Sequence, residues 1–108
     1  MRFDPMAVDW KPTKRPGIYV ETLWSDPASG DVAVLVRMDP GCTYPRHRHV
    51  REEDVLVLQG GFRDAAGEYG CGTFHRFAAG SIHEPVALEG GEPCILFSVA
   101  RGGIERVR

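Results

Sequence analysis

Glycine and proline punctuate this chain too often for a helix to establish itself. Thirteen glycines and eight prolines are spread along 108 residues. No window of a dozen residues free of them carries apolar side chains at i, i+3, i+4 and i+7. Between the breaks lie short runs rich in β-branched and aromatic residues, at 18–24, 32–38, 55–58, 73–77, 82–88 and 94–99. Turn clusters separate them: Asp39-Pro40-Gly41, Asp64-Ala65-Ala66-Gly67, Ala79-Gly80-Ser81 and Glu89-Gly90-Gly91-Glu92-Pro93. Short strands with a turn signal roughly every eight to twelve residues predict an all-β barrel or sandwich. The tail after Arg101 is expected to add an edge strand.

No repeat or linker divides the chain, so a single domain is expected. A chain of this size buries roughly two-thirds of the surface that its unfolded form exposes, enough for one core without disulfides. Residues 17–108 are expected to form the barrel. Residues 1–16, with Pro5, Pro12 and Pro16, read as an arm that seats Trp10 in a groove of the domain or of a neighbour. Cys42, Cys71 and Cys94 are odd in number and contain no CxxC pair, which argues against a disulfide framework and a cysteine zinc site. They read as small buried hydrophobes. The first ten residues have no apolar leader core and no run of about 18 apolar residues occurs, so a cytoplasmic setting is expected. A net charge of −2 gives no reason to expect nucleic acid as a partner, and none is expected at a membrane.

The chemistry concentrates at 41–60, GCTYPRHRHVREEDVLVLQG. On an extended backbone His47 and His49 share one face. A turn through Val50-Arg51-Glu52 is expected to return Glu53 to the same face, as a hairpin. Two imidazoles and a carboxylate converging in this way suit a divalent metal. The plain alternative is a polar strand face and a solvated turn. Arg46, Arg48 and Arg51 interleave with these residues and read as the outer face.

The spacing resembles the cupin superfamily. Its first motif, G-x5-H-x-H-x3-E-x6-G, is matched at Gly41, His47, His49, Glu53 and Gly60. Its second, G-x5-P-x-G-x2-H-x3-N, is matched at Gly72, Gly80 and His83, with Ala78 and Ala87 in place of Pro and Asn. The run HRHVREEDVLVLQGGFRDAAGEYGCGTF looks like the cupins related to the C-terminal domain of ChrR-type anti-sigma factors, a group that includes diketone- and acetophenone-cleaving iron dioxygenases. Asp54 and Gln59 depart from that group's usual acidic residues. No N-terminal helical domain of the kind that holds a sigma factor is present, so an anti-sigma role is not expected.

The resemblance implies a double-stranded β-helix (jelly-roll) barrel with His47, His49, Glu53 and His83 as metal ligands. Three imidazoles and a carboxylate suit Fe²⁺ or Zn²⁺ first, and Mn²⁺, Ni²⁺ or Cu²⁺ as well. A six-coordinate ion would leave two positions for substrate and dioxygen, whereas a tetrahedral zinc would be closed. The expectation is therefore an Fe²⁺ dioxygenase of a small carbonyl compound. The alternative is a non-catalytic zinc-holding sensor or ligand-binding module. Arg37, Tyr44, Arg76 and Phe97 are expected in the pocket wall, His75 at the rim, and Glu84 facing outward. A homodimer is expected, paired through a sheet edge or face.

Overall fold

The computed structural model describes residues 4–108, and no α-helix occurs among them. A single 3-10 turn spans Pro5–Ala7, with the Asp4 side chain accepting from the Met6 amide. Twelve strands follow. They are β1 (Lys11–Pro12), β2 (Ile18–Ser25), β3 (Val32–Met38), β4 (His47–His49), β5 (Glu53–Gln59) and β6 (Gly61–Asp64). The second half contributes β7 (Gly67–Gly70), β8 (Phe74–Phe77), β9 (Ile82–His83), β10 (Val86–Ala87), β11 (Cys94–Ala100) and β12 (Ile104–Arg106).

One six-stranded antiparallel sheet, ordered β1-β2-β3-β11-β5-β8, forms one layer of the jelly roll. Two three-stranded sheets, β10-β6-β7 and β12-β4-β9, form the other. Period-2 alternation sets the inner face. Val36 and Met38 of β3, Val55 and Val57 of β5, and Cys94 and Leu96 of β11 point inward and pack with Phe62, Tyr69, Phe77 and Ala87. On the outer face of β11, Ile95 stands beside Arg37 and Gln59 and Phe97 beside Leu35 and Leu56, and Ile95 is only 1% exposed. This accounts for a run that is apolar at nearly every position.

Three elements differ from expectation. The run at 82–88 splits into β9 and β10, because Pro85 has no amide with which to continue a ladder. Strands β6 and β7 form a hairpin around Asp64–Gly67 that the glycine-rich sequence disguised. Most consequentially, β4 and β5 are not a hairpin. They belong to different sheets, and the chain crosses from one layer to the other between them. A second crossing occurs at Gly60-Gly61. Gly60 sits at φ +65°, and a Cβ there would lie 2.8 Å from the Pro93 carbonyl oxygen, so only glycine fits without a shift.

Of the expected arm, residues 1–3 lie outside the described ones. The remainder returns to the barrel through β1, which pairs with β2 at Val20 and Tyr19. Trp10 is half-buried, and its indole N–H donates to the Pro5 carbonyl at 3.0 Å. No helix among the described residues is long and apolar enough to cross a membrane.

Candidate metal centre

The layer crossing after β4 brings the site together. His47 and His49 alternate with Arg48, so both imidazoles turn inward, 4% and 0% exposed, while Arg48 turns outward to Glu105. Strand β9 pairs with β4 in a register that sets His83 directly opposite His47. Glu53, the first residue of β5, reaches in from the other layer. One donor atom from each of His47, His49, Glu53 and His83 lies within 4.8 Å of all the others.

Hydrogen bonds on the outer side of each residue determine what faces the centre. His47 Nδ1 lies 2.8 Å from the Pro45 carbonyl oxygen, which only accepts. His83 Nδ1 lies 2.9 Å from Asp64 Oδ2, a buried carboxylate. His49 Nδ1 lies 2.9 Å from Ser81 Oγ, and that hydroxyl already donates to the Ala78 carbonyl, so it accepts from the ring. Each Nδ1 therefore carries its proton, and each Nε2 presents a lone pair inward. Glu53 Oε2 accepts from the Ser98 hydroxyl at 2.6 Å, leaving Oε1 for the centre.

The inward atoms are all acceptors, and they crowd. His47 Nε2 and His83 Nε2 are 3.1 Å apart, and His49 Nε2 is 3.0 Å from Glu53 Oε1. His49 Nε2 is buried without a hydrogen-bond partner. Unpaired acceptors in an apolar interior cost free energy, and acceptors aimed at one another cost more. One divalent cation among them would satisfy all four at once. Three imidazole nitrogens and one carboxylate oxygen fit a borderline transition-metal ion and suit calcium poorly.

Burial holds His47 and His83 below the ordinary histidine range, so both rings favour the neutral, ligating form. Burial alone would push the Glu53 carboxyl up; in the metal-free protein the His49 ring, where it donates from Nε2, and the Ser98 hydroxyl outweigh that and hold it low. Asp64 is likewise held low against its burial by His83, the Ala66 amide and the Tyr69 hydroxyl. Asp64, Ser81 and Ser98 were not singled out in the sequence. A signal existed for Asp64, which stands with Gly67 and Tyr69 in the group pattern F-x-D-x-x-G-x-Y.

A cavity of about 250 Å³ adjoins the cluster. His47, Glu53 and His83 line it, whereas His49 is sealed behind them. The remaining walls are mostly aliphatic, with Val34, Val36, Val55, Met38 and Leu96 among them, and no lysine or arginine takes part. Tyr44 lines the cavity and packs edge-on against His47, ring centroids 5.2 Å apart.

Arg37, Arg76 and Phe97 do not line the cavity, which corrects the sequence expectation for them. Strand alternation turns them to the outer face, one residue out of phase with the inward neighbours Val36, Phe77 and Leu96. Arg37 there pairs with Asp39 and lies over the Tyr19 ring, Arg76 pairs with Asp54, and Phe97 sits between Leu35 and Leu56. His75 is exposed, edge-on to Phe77 and Tyr69, and Glu84 is exposed.

No curated protein matches the chain. Among solved structures, it is 30% identical to a chain of the Rhodobacter sphaeroides complex of SigE with the anti-sigma ChrR. That match has a TM-score of 0.77 and covers 90% of this chain but only 50% of the other. It resembles an RmlC-like cupin from Ralstonia eutropha at 22% identity and TM-score 0.82, over 97% of this chain and 70% of that one. An acetylacetone dioxygenase from Acinetobacter johnsonii shares the fold at 12% identity and TM-score 0.84, over 100% of this chain and 76% of that one. The family model of the ChrR cupin-like domain matches residues 1–102. With that match, the jelly roll and an inward-facing His47-His49-Glu53-His83 cluster in place, the chain belongs to the ChrR cupin-like domain family.

Proposed function

We propose that the protein is a metal-dependent dioxygenase that holds Fe²⁺ at His47, His49, Glu53 and His83 and acts on a small carbonyl compound of the β-diketone or hydroxyaryl-ketone type. The observation that carries this reading is the one-sided exposure of the cluster, with three of its four residues facing an apolar cavity and the fourth sealed. A bound redox-active ion would supply dioxygen activation and polarisation of the substrate oxygen. The chain's own residues do the rest. The valine-rich walls take up an alkyl or aryl body and exclude water. Burial raises the Tyr44 hydroxyl above its ordinary range, so it stays protonated and available to donate to a carbonyl or enolate oxygen. Ser98 fixes the Glu53 carboxylate so that one oxygen alone faces inward. The structural likeness to an acetylacetone dioxygenase accords with this reading.

The test is metal analysis of protein purified without chelator or immobilised metal, followed by anaerobic Fe²⁺ loading and oxygen-electrode assays over a carbonyl panel. About one iron per chain and substrate-dependent oxygen uptake are expected. The 30% identity to a chain of the complex of SigE with the anti-sigma ChrR favours a second reading, a non-catalytic module. In that reading the four ligands hold zinc in a closed site and the cavity takes a small ligand as a sensor. One tightly held zinc per chain, with no oxygen uptake after iron loading, would favour it. The proposal extends to a homodimer in a reducing, cytoplasmic setting, and to residues 1–16 acting as an arm on a barrel at 17–108.

A further inference from the structure

Beside the metal-site cavity lies an open groove of about 350 Å³. Four cations line it: Lys14 and Arg15 from the turn before β2, Arg46 just ahead of β4, and Arg106 on β12. No acidic side chain lines it. All four cations are exposed, and none enters an ion pair among the described residues, whereas Lys11, Arg37, Arg48, Arg76 and Arg101 each have a carboxylate partner. In a chain of net charge −2, this is a local, uncompensated excess of positive charge. It is invisible along the sequence because the fold assembles it from three distant segments.

The groove and the cavity share Tyr44, His47 and Ile104. One wall therefore joins a cationic mouth to an apolar chamber at the metal cluster. Apart from the metal cluster itself, the chamber's walls carry no lysine or arginine, so a charged group lodged among its aliphatic side chains would be unpaired and disfavoured by desolvation. The groove, with four cations and no carboxylate, is matched to oxyanions, for which guanidinium forks supply paired donors. We propose that the groove binds the oxyanion of an amphiphilic small molecule, a carboxylate or phosphate, whose apolar end enters the cavity. The inference rests on the cavity being the ligand site, and it narrows the substrate class from any small carbonyl compound to an acid-bearing one.

The experiment is calorimetric titration of the metal-loaded protein with octanoate, octyl phosphate, 1-octanol and inorganic phosphate, at low and high salt. Octanol reports the cavity alone. Octanoate and octyl phosphate should bind roughly tenfold more tightly than octanol at low salt, and salt should erode that advantage because the cations are exposed. The pair Arg46→Gln and Arg106→Gln should abolish the advantage and leave octanol binding unchanged. Lys14→Gln with Arg15→Gln provides a second variant that leaves β4 and β12 untouched, and it should reduce the advantage as well. If one anion gains and the other does not, the gain names the head group.

Equal binding of octanol and both anions would overturn the groove while sparing the cavity. An octanoate advantage that survives all four substitutions would place the carboxylate on the metal and also overturn it. Saturable inorganic phosphate binding with no gain for the amphiphiles would mean two unconnected sites, against the proposal. Silence from all three octyl compounds would overturn the cavity reading, and the groove with it.

Discussion

At the scale of the residue, the site depends on side chains that never face its centre. Asp64 holds the His83 ring with one carboxylate oxygen, while the other takes the Ala66 amide and the Tyr69 hydroxyl. Replacing Asp64 by Asn keeps the shape but removes the charge that raises ligand basicity. Metal affinity measured by chelator competition should fall roughly 10- to 100-fold, with the thermal midpoint of the metal-free protein changed far less. An unchanged affinity would show that His83 needs no such support. The same burial gives the metal-free protein a definite pH response. His47 and His83 titrate below the ordinary histidine value of 6.5, so the unfolded chain takes up their protons first. Stability is then fully present above that value and is lost as pH falls from 6.5 toward the folded-state values. Glu53 and Asp64, also held low, add a second loss as the pH falls through the carboxylate range. Melting curves in chelator should therefore decline on the acid side in two stages, and His47→Gln with His83→Gln should flatten the first. A stability maximum below pH 6 would contradict the sign.

At the scale of the element, what alternation and spacing control was legible, and what chain crossing controls was not. β2, β3, β8 and β11 lie within a residue or so of where β-branched runs and turn clusters put them, because those signals are local. The pairing of His47 with His49 was legible for the same reason, through strand period, whereas His83 was reached only through the likeness to the second cupin motif. The change of sheet between β4 and β5 was hidden, since nothing in Val50-Arg51-Glu52 distinguishes a tight turn from a crossing. Arg37, Arg76 and Phe97 were misplaced by one step of strand phase, which flips a side chain between chamber and exterior. Gly60 marks the crossing that could be read. Gly60→Ala should cost about 1–3 kcal/mol, because its φ of +65° and the 2.8 Å approach to the Pro93 carbonyl compound one another. Gly91→Ala, which meets nothing within 4 Å, is its control and should be near neutral in the same denaturant titration.

At the scale of the molecule, the outer face of the six-stranded sheet is more apolar than a solvated face requires. Leu35, Phe97, Leu56 and Phe74 stand in one row across β3, β11, β5 and β8, beside a second row containing Trp24, Ala33 and Val99. Phe74 is 64% exposed and Trp24 54%, and a monomer gains nothing from leaving them so. The second row continues from Val99 into Asp54, whose carboxyl is held to about 2 by Arg76 and then Arg101, so its β5–β8 end is charged and the first row is the apolar one. Extension through β1 is a poor route to a dimer, since that edge is two residues long and contains Pro12. Face-to-face pairing about a two-fold axis suits the apolar row better, and a stable interface of that kind buries roughly 800 Å² per partner. Sedimentation should thus give a dimer for the native chain at micromolar concentration and a monomer for Phe74→Glu. The thermal midpoint of the variant should then drop only through lost association, because its side chain contributes little to the barrel core. A native chain that sediments as a monomer at every concentration would leave these rows without a partner in the chain's own copies.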